Sequence, residues 1–241
     1  MKKTKVISIH QPHFFPWGGY INKIINSDIF VFYDIVQFTK NNFQNRNRIK
    51  NANGQALWIS LPVNKDCLDK RIFETRISDL RNLKKIEKTI FQLYRKSAFF
   101  DLIWNEIEPI FKYSDVQLSG LDFEILKTLL KVLKIETQIL VSSHLNIQSN
   151  EPTERLSEIC SKLGGSHYIA GRSGVKYMDM SYFEKKGIEI LWQEYKPNNF
   201  VYDQLHGDFI PGLSILDALF NIGPDESKKL LKDNWTVDGQ L

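Results

Sequence analysis

The chain has 241 residues, 42% of them hydrophobic and 25% charged, values of a globular protein with its own core that exclude a disordered, collagen-like or coiled-coil chain. Lys and Arg number 32 against 28 Asp and Glu, a net charge of +4 too weak to imply a nucleic-acid track. Two isolated cysteines, Cys67 and Cys160, exclude a disulfide framework or a four-cysteine zinc site and fit a reducing compartment.

The first run, MKKTKVISIHQPHFFPW, starts basic but is broken by His10, Gln11 and Pro12 and shows no small-residue cleavage site, so we do not read it as a signal peptide. Val6–Ile9 is β-branched and reads as a buried strand. Two prolines, Pro12 and Pro16, exclude helix from the segment that follows. From Trp17 to Asn26 the apolar residues Trp17, Tyr20, Ile21, Ile24 and Ile25 fall at helical spacing. Ile29–Tyr33 is the next strand and is far shorter than the ~18–20 residues of a membrane span. The opening is thus a βαβ unit.

Residues 34–56 lack periodicity and read as a long polar loop, with room for a short helix. Leu57–Leu61 is a strand stopped by Pro62, and Phe73–Ile77 is a candidate strand. A helical block follows at Leu80–Lys96, Phe99–Tyr113 and Leu118–Lys134. Alternation then resumes with a strand at Gln138–Val141 and a helix opened by Glu151 and Pro152 and ended by Gly164 and Gly165. A strand at His167–Ala170, a helix at Met178–Lys186 and a strand at Ile188–Trp192 come next. Ser214–Asn221 is a helix stopped by Gly223 and Pro224. The expected fold is α/β, with a mainly parallel sheet, flanking helices and a helical insertion at 80–134, in one compact unit over 1–241.

In a parallel sheet, ligands bind beyond the carboxyl ends of strands. His10 and Asp34 each end a predicted strand there. Gln11, Trp17, Tyr20 and Lys23 follow His10, and the helix start at Gly18–Gly19 offers free N–H groups to an anion. A metal between His10 and His13 is disfavoured by the intervening Pro12 and the lack of a third ligand. After Asp34 come Gln37, Asn45, Arg46 and Arg48, amides and guanidiniums suited to phosphate or carboxylate. From 35 through 65 there is no acid, while Lys40, Arg46, Arg48, Lys50 and Lys65 are basic. The charge excess is therefore local. Gly171-Arg172-Ser173-Gly174 forms a turn between strand and helix whose N–H groups can nest an anion, Ser173 among them. It is neither a P-loop nor a nucleophile elbow. No Ser–His–Asp or Cys–His triad can be assembled.

The series Ile9-His10-Gln11-Pro12, Phe14, Pro16-Trp17, Gly19-Tyr20 and Lys23, continued by Asn45-Arg46, Asn47-Arg48-Ile49, Leu61-Pro62-Val63, Ser173-Gly174, Tyr177, Asp179 and Leu213–Asp217, resembles the WbqC-like family over nearly the whole chain. The resemblance implies O-antigen or other surface-polysaccharide biosynthesis, with transfer of an amino acid such as glycine to an amino sugar, nucleotide-linked. A strand ending in His-x-Pro, a Gly-containing helix start and a second strand ending in Asp are also similar to the HIGH-type nucleotidyltransferases, although Tyr20 stands where their second histidine would.

The leading expectation is a cytoplasmic N-acyltransferase with no cofactor and no metal. His10 would be the base and Asp34 its helper. Gln11, Lys23, Gln37, Asn45, Arg46, Arg48 and Ser173 would bind the anion, and Trp17 and Tyr20 would stack on the substrate. The acyl donor stays open between a carrier-protein thioester, an aminoacyl-tRNA and an adenylate, and the sequence is compatible with a homo-oligomer. The rival expectations are a HIGH-type adenylate-forming or nucleotidyl-transferring enzyme and a non-catalytic sugar-nucleotide or nucleic-acid binding module.

Overall fold

The computed structural model describes residues 4–238. Short apolar runs alternate with helices, and the runs collect into one sheet. Its strands are β1 (Val6–His10), β2 (Ile29–Phe32), β5 (Gln138–Val141), β6 (His167–Gly171), β7 (Glu189–Gln193) and β8 (Val237–Asp238). The order is β5-β2-β1-β6-β7-β8. The first five are parallel and β8 runs antiparallel against β7. The helices are α1 (Gly18–Ile25), α2 (Arg81–Tyr94), α3 (Phe100–Ile107), α4 (Leu118–Val132), α5 (Pro152–Lys162), α6 (Ser181–Glu184) and α7 (Ile215–Asp233). The chain is an α/β protein with a parallel sheet flanked by helices, and α2, α3 and α4 fall in the helical block read at 80–134.

Strand side chains alternate between faces, and the core divides accordingly. Ile7, Ile9, Ile29 and Val31 cluster with Ile159, Cys160 and Phe183. Phe30 and Phe32 belong to the larger cluster, with Tyr20, Ile21 and Ile24 of α1 and Leu126 and Leu129 of α4. Both faces of the central strands are covered, which is why these strands read as continuous apolar runs.

Three expectations change. Residues 34–56 are not all loop: β3 (Arg46–Lys50) pairs antiparallel with β4 (Ala56–Ser60) in a separate two-stranded sheet. Its inward side chains include Asn47 and Ile49, and Asn47 Nδ2 donates to the Phe15 carbonyl at 2.7 Å. A strand that buries an amide carries little apolar signal. Phe73–Ile77 is no strand. It holds a short 3₁₀ turn, Ile72–Glu74, and single bridges from Arg76 to Gln117 and from Ile77 to Val63.

The third change concerns the last helix, which breaks at Gly223 as its Gly-Pro pair demands but then resumes to Asp233. Gly223 has φ +76°, and a Cβ there would lie 2.6 Å from the Phe99 ring. Pro224 then opens the second segment, where its missing N–H costs nothing. Gly223→Ala is expected to destabilise the protein by roughly 2–5 kcal/mol, from backbone strain and overpacking together. Urea unfolding checks this; a change within about 0.5 kcal/mol, the size of a neutral surface substitution, would contradict it.

Candidate functional site

The chain leaves β1 toward β2 on one side, while β6, the neighbour on the other side, connects onward to β7. This is a topological switch point, where a crevice opens beyond the carboxyl ends of the strands. His10 ends β1 and Gly171 ends β6. Between them lies a cleft of about 540 Å³ walled by His10, Lys23, Gly171, Ser173 and Gln193, with Trp17 at its side. A recess of about 200 Å³ shares His10, Lys23, Gly171 and Ser173 and extends to Gln11, Tyr33 and Tyr177. Those three also wall a further chamber of about 650 Å³ beyond β2 and β5, with Gln37, Ser143 and Arg155. The crevice thus continues along the sheet edge on both sides of His10 and Gln11.

His10 Nδ1 lies 3.0 Å from the Gln11 carbonyl. A carbonyl only accepts, so Nδ1 carries the proton in this contact and Nε2 is the unprotonated nitrogen of the neutral ring. Burial, and next the positive charge of Lys23, push the His10 pKa down to about 3. The ring packs edge-on against His13 and Tyr20, at 4.7 and 4.8 Å between centroids. His13 is stacked between Tyr20 and Phe43, and burial holds it neutral as well. Among the described residues no three His, Cys, Asp or Glu side chains converge as a metal site would need.

Lys23 is 4% exposed. No carboxylate lies within ion-pair distance among the described residues, and burial lowers its pKa to about 8. Helix α1 is fixed from several sides. Ser27 Oγ reaches Ser8 Oγ at 2.6 Å and the Lys23 carbonyl at 2.7 Å. Asn22 Nδ2 donates to the Leu231 carbonyl at 2.6 Å. Gln193 Nε2 donates to the Gly19 carbonyl at 3.0 Å and Asn22 Oδ1 at 2.6 Å. The α1 glycines pack tightly: a Cβ on Gly19 would meet the Trp17 ring at 2.4 Å.

The structure brings together His10, Gln11, Trp17, Lys23 and Ser173. Gln11 Oε1 accepts from Gln44 Nε2 at 2.8 Å, which ties the crevice to the polar loop. Gln37 lines only the further chamber and donates to the Leu68 carbonyl.

Asp34 does not serve His10. It is buried, and its Oδ1 accepts from the Ser142 hydroxyl at 2.7 Å and the Ser143 N–H at 2.9 Å, its Oδ2 from the Ser143 hydroxyl at 2.8 Å. Tyr20 offers no stacking surface, being 1% exposed with His13, His10 and Phe30 against its ring. Arg46 and Arg48 stand on β3 and Asn45 just before it, and none of the three walls the crevice. Asn45 donates to the Leu61 carbonyl at 2.7 Å. The Arg46 guanidinium lies 4.2 Å over the Trp58 ring, and Arg48 donates to the Gly212 carbonyl at 3.1 Å.

Gln193 and Arg172 are among the crevice residues that stayed outside the sequence-derived set. Gln193 sits at the carboxyl end of β7, and that position was its only signal. Arg172 belongs to the Gly-Arg-Ser-Gly turn and pairs with Glu194.

A parallel α/β sheet with a polar crevice at its switch point is a common architecture, and the crevice is its candidate small-molecule site. The chain belongs to the WbqC-like protein family, whose model matches residues 11–229. It is also 33% identical over 223 residues to "Uncharacterized protein Rv1507c" of Mycobacterium tuberculosis (strain ATCC 25618 / H37Rv), an alignment covering 92% of this chain and 95% of that protein. No solved structure matches the chain. Among the described residues no helix is long and apolar enough to cross a membrane.

The His10 ring is expected to titrate near 3, well below the ~6.5 of a free imidazole. Ring-nitrogen NMR should show the Nδ1–H neutral form persisting at pH 5; a midpoint between 6 and 7 would contradict this geometry.

Proposed function

We propose that this protein is a transferase of O-antigen or surface-polysaccharide biosynthesis that N-acylates a nucleotide-linked amino sugar with an amino acid such as glycine. The observation that carries the reading is the His10 imidazole, which lines the crevice and is neutral, with Nδ1 on the Gln11 carbonyl and Nε2 left unprotonated. Amide formation needs a base for the attacking amine. The amine nitrogen bonds to the acyl carbon, the bond from that carbon to the donor's leaving group breaks, and the amine proton passes to His10 Nε2. A weakly basic imidazole, once protonated, is a strong acid and hands the proton on to the leaving group.

Space supports a two-substrate reaction. The crevice has a chamber on each side of His10 and Gln11, so donor and acceptor can meet at that point. Membership of the WbqC-like family supports the polysaccharide setting. The cytoplasm, where nucleotide-linked sugars are used, is part of the same proposal.

The test is incubation with a nucleotide-linked amino sugar and each class of glycyl donor in turn: carrier-protein thioester, glycyl-tRNA, or glycine with ATP. The expected product is the sugar carrying one added glycyl unit in amide linkage. His10→Ala is expected to lower kcat about 10²–10⁴-fold, the usual contribution of a positioned acid–base group, with the substrate KM little changed. An unchanged rate would remove His10 as base; no amide product with any donor would remove the acyl-transfer reading.

A further inference from the structure

We propose that Lys23 and Ser173 form a phosphate seat over the backbone of Gly171, and that the phosphoryl group of a nucleoside-diphosphate substrate occupies it. The inference deepens the transferase reading by locating its anionic substrate, but it stands on Lys23 itself. A protein that bound phosphate and transferred nothing would keep the seat and lose the reading.

Lys23 is all but removed from solvent and has no counterion among the described residues, yet it borders both the main cleft and the recess. A buried ammonium is ordinarily paired. A partner brought by the substrate meets that requirement. The neighbouring groups suit phosphate. A Cβ on Gly171 would sit 3.8 Å from Lys23 Nζ and 4.0 Å from Ser173 Oγ, so an ammonium and a hydroxyl flank one bare patch of backbone that a bulky anion can approach. Arg172, next in the turn, walls the same cleft, and its pairing with Glu194 holds it there. Donors thus come from α1 on one side and from the turn after β6 on the other, and a phosphate, with more charge and more acceptor oxygens than a carboxylate, can engage both at once. The basic β3–β4 segment lacks this arrangement, since Arg46 is laid on Trp58 and Arg48 is spent on Gly212.

The seat also couples to the base. Lys23 is one cause of the depressed His10 pKa, so a phosphate bound at Lys23 offsets that field and makes His10 more basic when substrate is present.

The test uses the full chain with inorganic phosphate, pyrophosphate, UDP and, as the carboxylate control, acetate. The three phosphate probes are expected to raise Tm, as ligands of the folded state do, and to move the His10 ring titration upward; acetate should do neither. Lys23→Met, which deletes the buried charge and keeps the stem, should raise the Tm of the free protein, lose the phosphate-induced rise and weaken UDP binding at least tenfold. Arg46→Gln should keep both the phosphate-induced rise and the His10 shift. Retention of the full phosphate response in Lys23→Met, or loss of it in Arg46→Gln, would overturn the proposal. Absence of any His10 shift in the wild-type protein would overturn it too, and that measurement needs no variant.

Discussion

An ammonium group held in the protein interior with no counterion among the described residues, that of Lys23, is the constraint on which the rest of the site depends. Desolvating such a charge costs several kcal/mol even after the surroundings relax. The fold bears this cost at Lys23 because α1 cannot shift to release it. Its far end is held to β1 through Ser27 and Ser8, its middle to α7 through Asn22 and Leu231, and its start to β7 through Gln193 and the Gly19 carbonyl. Each contact is an ordinary hydrogen bond. Together they fix the helix that carries the charge, and a site on rigid elements is one whose geometry is already set before substrate arrives.

The same burial sets the chemistry of His10. In a medium poor in water, a cation close by penalises a second positive charge strongly, so the imidazole stays neutral and keeps its Nε2 lone pair. Burial first, and the Lys23 charge second, therefore keep His10 neutral. His13 and Tyr20 complete that burial from behind. Their stacked rings exclude water from the back of His10 while the crevice leaves its front open. The carboxylate that would have raised the basicity of His10, Asp34, is turned to Ser142 and Ser143, where it ties the end of β2 to the segment after β5.

Much of this was legible in the residues. The β-branched run Val6–Ile9, the prolines after His10 and the helical spacing from Trp17 specify a strand, a loop and a helix, and the rule that ligands gather at carboxyl strand ends then puts His10, Gln11 and Lys23 in one place. What the residues do not encode locally is strand order. That β6 lies beside β1 is decided by long-range packing, and only this adjacency carries Ser173 to Lys23. The Asn-Arg-Asn-Arg run misleads for a different reason. Its amides and guanidiniums look like ligand donors, but Asn47 satisfies the backbone of Phe14 and Phe15 and Arg46 packs on Trp58. Polar side chains used to build a strand cannot be told by type from those used to hold a substrate. The local charge excess therefore includes the residues of a structural hairpin, while α1 carries a single charged residue, the buried Lys23.

The most direct measurement is a crystal structure of the protein with a nucleoside-diphosphate sugar bound. We expect phosphate oxygens within hydrogen-bonding distance of Lys23 Nζ and Ser173 Oγ, with the sugar lying toward His10. A nucleotide seated instead on Arg46, Arg48 and Trp58, with the β1–β6 crevice left to solvent, would contradict the account.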